Sequence, residues 1–185
     1  MCKRLVPGLV LVVAALGYAL PGSSAEESAG AYGVGRPASD AEIRAWDIDV
    51  ASSGEGLPPG QGTVKQGAQV YVAKCAACHG PTGREGPQDR LVGGRDTLTS
   101  ANPVKTVGSY WPYATTLYDY IRRAMPFDAP QSLSPDEVYA VVAWLLHQNG
   151  IIAADAVMDA RTLPQVQMPN RNGFISDPRP DVPRR

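Results

Sequence analysis

Cysteine and histidine are almost missing from this chain: of 185 residues, three are cysteine and two are histidine. Cys2 lies in an apolar leader, so the body of the protein keeps only Cys75 and Cys78, too few for a disulfide framework. Structural zinc sites are usually built from two spaced pairs of ligands, and beyond Cys75, Cys78 and His79 there stand only Cys2 and His147. An excess of one charge is lacking as well. The formal net charge of −1 comes from 17 basic and 18 acidic residues with no basic cluster, which excludes an electrostatic nucleic-acid surface. After the leader there is no second long apolar run, no internal repeat and no convincing pair of alternating strands. What remains is one modest helical domain with no membrane span in the mature chain.

The leader itself is informative. Lys3 and Arg4 precede an apolar run over 5–20, then Pro21, Gly22 and the small residues Ser23, Ser24 and Ala25. This is the layout of an export signal cleaved after Ala25, with a retained membrane anchor as the alternative. Cleavage leaves about 160 residues and takes the formal charge from −1 to about −3. The expected organisation is a signal peptide over 1–25, an extended N-terminal arm over 26–59, a helical domain over 60–152 and an extended C-terminal tail over 153–185.

The two scarce residue types meet in Cys75-Ala76-Ala77-Cys78-His79. Two thiols three positions apart can add to the two vinyl groups of one porphyrin, and the following imidazole can face the iron, so the run reads as a covalent haem c site. No βαβ pattern surrounds it, which argues against a thioredoxin-like dithiol. In bacteria haem is joined to this motif outside the cytoplasm, in agreement with the leader.

Helical periodicity covers 64–75, running into the first cysteine, after a turn at 60–63. Gly and Pro punctuate 80–108, which reads as loop around the cofactor. A second helix is expected over 109–124, opened by Pro112. A third starts at Ser134-Pro135-Asp136-Glu137 and stops at Asn149-Gly150. The sixth iron ligand has four candidates in the mature chain: Met125, Met158, Met168 and His147. Met125 stands between two helices with Pro126 behind it, where its soft thioether sulfur would raise the potential of the iron. Met168 repeats the Met-Pro pair in a polar tail and is the alternative, while His147 near a helix end and Met158 read as structural.

The order of haem motif, Gly83-Arg84-Glu85-Gly86-Pro87, Met125-Pro126 and a Ser-Pro-Asp-Glu-Val helix start resembles class I cytochromes c. That resemblance implies an all-α class I cytochrome c fold, a small helical bundle wrapped round one haem c. It also implies that the Pro87 carbonyl accepts the Nδ1–H of His79. Residues 106–113, 119–127, 137–140 and 168–174 are more narrowly similar to the haem subunit that partners molybdenum sulfite or sulfane dehydrogenases of the Sox and Sor type, over about 56–181. Sulfane dehydrogenase subunits of the Sox system typically carry two haem domains. With one motif, this chain is similar to one such module or to the single-haem sulfite dehydrogenase subunit.

Tyr110, Trp111 and Tyr113 are candidates for the haem surroundings, with ordinary core packing as the alternative. Arg95, Arg122 and Arg123 are candidate partners for propionates, or solvated charges. Three functions follow as expectations. The first is a periplasmic, non-catalytic electron-transfer subunit. It would take electrons from a molybdopterin sulfite-oxidase-like catalytic subunit and pass them to a soluble cytochrome or terminal oxidase. The second is a general periplasmic shuttle for another dehydrogenase, and the third a haem enzyme in its own right.

Overall fold

The computed structural model describes residues 34–177 and residue 179. The expected export signal and the start of the arm lie outside them. Two compact units are distinguished, Met1–Ser39 and Asp40–Arg185. Of the first, only 34–39 are described, without helix or strand.

The second unit runs α1 (Asp40–Trp46), β1 (Gln61–Thr63), α2 (Val64–Lys74), α3 (Ala76–His79), α4 (Ala114–Ala124), α5 (Pro135–Gln148), β2 (Val157–Asp159) and a short 3-10 helix (Leu163–Gln165). Both long central helices start with reciprocal caps. Thr63 accepts the Gln66 N–H while Gln66 accepts the Thr63 N–H, and Ser134 and Glu137 do the same at α5 behind Pro135. Such caps satisfy helix-end donors that would otherwise lie unpaired.

α2 and α5 cross at a point where no side chain fits between them. A Cβ on Gly67 would lie 1.9 Å from the Ala140 carbonyl oxygen and 2.7 Å from the Trp144 Cβ. One turn further along, the rings of Tyr71 and Trp144 stack at 3.8 Å. α5 is buried from Val138 to Leu146, and α4 packs on it with Leu117, Tyr118 and Ile121. Tyr118 meets Tyr139 at 4.5 Å between ring centres, and the Tyr139 hydroxyl donates to the Pro58 carbonyl at 2.9 Å.

The all-α expectation holds for the core but omits a small antiparallel pair. β1 and β2 pair with Gln61 opposite Asp159 and Thr63 opposite Val157, where the sequence suggests a turn at 60–63 and an extended tail. Three residues per strand are too few to show alternation. α4 begins at Ala114 instead of 109, because the Ser109 hydroxyl accepts the Thr106 N–H and donates to the Val104 carbonyl, tying that stretch into a loop. Residues 40–46 of the expected arm are helical with none buried. Leu163, Val166 and Met168 of the expected tail belong to the core. Among the described residues no helix is long and apolar enough to cross a membrane.

Gly67→Ala should therefore cost about 3 kcal/mol by overpacking, about 10 °C in melting temperature for a domain of this size. Gly150→Ala has open space around it and only a φ of +68° to oppose it, so about 1 kcal/mol is expected in the same thermal melts.

Candidate haem site

Cys75 closes α2 and opens α3. Its carbonyl accepts from both the Cys78 and the His79 N–H, at 3.2 and 3.0 Å, and Gly80 ends the short helix with φ +77°. One helical turn thus carries Cys75, Cys78 and His79. Both thiols are free, Cys78 exposed and Cys75 partly buried. Burial first, and the neighbouring Cys78 second, push the Cys75 thiol up to about 11.

The chain then folds back on this turn. A Cβ on Gly86 would sit 2.1 Å from the Cys78 carbonyl oxygen, so only glycine allows the return strand so close. Gln88 donates its N–H to the Cys78 carbonyl at 3.0 Å, and the His79 Nδ1 lies 2.8 Å from the Asp89 carbonyl oxygen. This corrects the assignment of the acceptor to Pro87. The pairing of Gln88 with Cys78 turns the chain so that the carbonyl two residues beyond Pro87 meets the ring. The bond leaves Nε2 as the free ring nitrogen and fixes the ring's direction. The Glu85 carboxylate accepts from Thr82 and Arg84, which lowers its pKa, chiefly through the Thr82 hydroxyl. Tyr71 donates its hydroxyl to the Gly80 carbonyl at 2.9 Å, and burial raises its pKa to about 12.

Met125 caps the C-terminus of α4, donates its N–H to the Ile121 carbonyl and is half-buried against the core. Met168 is 4% exposed, its surface covered by the protein. Met158 is buried on β2, and the His147 Nδ1 faces the Ile152 carbonyl at 3.2 Å. Trp111 packs edge-on against Tyr120. Tyr110 has the ring of Phe174 at 5.2 Å and the Lys105 ammonium at 5.2 Å, while Arg171 lies over Tyr113. All three candidate arginines bind protein: Arg95 to the Asn149 carbonyl, Arg122 to the Ile48 carbonyl, Arg123 to Asp119.

The chain is similar to the crystal structure of the sulfane dehydrogenase SoxCD from Paracoccus pantotrophus, with 45% identity and a TM-score of 0.74 over 79% of this chain and 72% of that one. It belongs to the c-type cytochromes of that sulfane dehydrogenase family. The fold of this cytochrome is the class I cytochrome c fold, and it binds haem. Residues 62–145 match the family model described as cytochrome C oxidase, cbb3-type, subunit III. No curated protein matches the chain. The donors present fit haem c: two free thiols and an imidazole on one turn, a thioether at a helix end, and no other cluster of metal-binding side chains among the described residues.

The Asp89 carbonyl escapes sequence reading because a backbone acceptor has no residue signature. Gly86 is visible only as part of a glycine-rich run. In the haem-free protein at pH 8, iodoacetamide should label Cys78 well before Cys75. Cys75 stays a protonated thiol until the pH nears 11, and peptide mapping across a pH series reads the difference.

Proposed function

We propose that this chain is a periplasmic mono-haem electron-transfer subunit of a molybdenum enzyme that oxidises sulfite or a related sulfur compound. The observation that carries this reading is the likeness to the sulfane dehydrogenase over most of both chains. Bound haem supplies a one-electron iron couple. Cys75 and Cys78 would hold it to the turn at the end of α2, each thiol adding across a vinyl group to leave a thioether. His79 offers Nε2 as the fifth ligand, its ring fixed by the Asp89 carbonyl. Met125 offers its sulfur as the sixth. Met168 is the weaker candidate, because its side chain is already enclosed by the core.

With His79 and Met125 both holding the iron, the protein would leave no position on it for substrate. The chain's task is then to hold the iron at a set potential and distance from its partners. It receives electrons singly from the reduced centre of a molybdopterin sulfite-oxidase-like subunit and passes them to a soluble cytochrome or terminal oxidase. The leader at 1–25 directs it to the periplasm, where its haem is attached.

Two experiments test this reading. Native purification should bring down a molybdenum-containing subunit that reduces the haem on adding sulfite or thiosulfate. Recovery solely as a free monomer, inert to both, would favour the general shuttle. In the oxidised holoprotein, Met125→Ala should abolish the red thioether-to-iron charge-transfer band and lower the potential, while Met168→Leu keeps the band. The reverse pattern assigns the ligand to Met168.

A further inference from the structure

Asp119 is the one charged side chain among the buried polar residues described, and it sits in the middle of α4. Its Oδ1 accepts the Val50 N–H at 2.8 Å and the Arg123 Nε–H at 3.0 Å, and its Oδ2 takes a second bond from Arg123. A carboxylate removed from water is tolerated only with such partners. The grip is repeated on both sides. The Thr115 hydroxyl donates to the Ser52 carbonyl at 3.0 Å, and the Arg122 guanidinium donates to the Ile48 carbonyl at 3.0 Å.

Positions 115, 119 and 122 follow helical spacing and share one face of α4. Their partners 52, 50 and 48 are alternate residues running the opposite way. The result is a three-rung ladder between a helix face and an irregular segment. Apolar packing is non-directional and would permit sliding, but hydrogen bonds are directional and fix the register. A slip of one residue breaks all three rungs and leaves the buried Val50 N–H without its acceptor.

α4 is capped at its C-terminus by Met125, whose N–H still donates to the Ile121 carbonyl. The axial and rotational setting of α4 is therefore passed on to the Met125 side chain. We propose that Asp119, with Thr115 and Arg122, is a positioning residue for the sixth iron ligand: the ladder to segment 48–52 holds α4 in the register that presents the Met125 sulfur. The inference rests on the reading of Met125 as that ligand.

The test uses the oxidised holoprotein, read by the thioether-to-iron band and by titration with imidazole, which takes the sixth position when the thioether leaves. Asp119→Ala should bind imidazole about tenfold more tightly than the parent, since losing a buried charged hydrogen-bond partner is worth about that factor or more. Covalent haem content should not change. Asp119→Asn keeps an acceptor for the Val50 N–H and should recover most of the difference. Gly150→Ala, strained at the end of α5, is the control for general loosening and should lower the melting temperature with parental imidazole affinity.

Parental imidazole affinity in Asp119→Ala overturns the proposal, as does an equal gain in Gly150→Ala. Should Asp119→Ala fail to fold, Arg122→Gln removes one rung with the carboxylate still paired, and parental affinity there overturns it too. A parent protein without the band removes the Met125 reading itself and this proposal with it. A band present with unchanged affinities removes the positioning role alone.

Discussion

The contact on which the rest of this cytochrome depends is the crossing of α2 and α5 at Gly67. With no side chain between them, the Gly67 backbone lies directly on the Ala140 carbonyl, and a Cβ on Gly62 would lie 2.1 Å from the Ala140 nitrogen. Gly67 is buried at this contact, and the stacked Tyr71 and Trp144 cover the next turn. Because α2 ends at Cys75, the crossing also determines where the haem-attaching turn begins. Tyr71 links the two directly: one side of its ring lies on Trp144, and its hydroxyl holds the Gly80 carbonyl that closes the turn.

Helices α2 and α5 were legible in the sequence because they carry local signatures. Thr63 with Gln66 and Ser134 with Glu137 are capping pairs at fixed spacing, followed by apolar residues at helical period. The haem motif was legible for the same reason: its chemistry lies within five consecutive residues. The expected arm and tail are different. Residues 153–170 place Met158, Leu163, Val166 and Met168 in the core without any helical period to announce it, and 47–58 is held through its backbone, at Val50 by Asp119 and at Pro58 by Tyr139. Such bonds depend on where a carbonyl or amide lies in space. Neither composition nor periodicity records that, and the family resemblance, which implies Pro87 as the acceptor for His79, misses the Asp89 carbonyl by two residues.

Much of the polar loop around the site is organised by single side chains instead of regular structure. Asn149 ends α5 and also joins it to the loop before α4: its side chain accepts the Gly93 N–H and donates to the Leu91 and Leu145 carbonyls. Thr106 and Ser109 knot the same loop from within. A chain that must leave room for a large flat cofactor has less apolar core to spend on its loops, and directional bonds take over the task of fixing them.

That role of Asn149 bears on how the protein ages. Asn followed by Gly is the dipeptide most open to deamidation, because the next backbone nitrogen can attack the side-chain amide carbon. Here the Gly150 N–H donates to the His147 carbonyl at 2.8 Å, and the amide is held on both its oxygen and its nitrogen. The carboxylate formed by deamidation would point an oxygen, with no proton to donate, at the carbonyls of Leu91 and Leu145. The fold therefore protects its own chemical clock: the residue stays intact while α5 and the loop stay joined, and once they part the damage prevents them from closing as before.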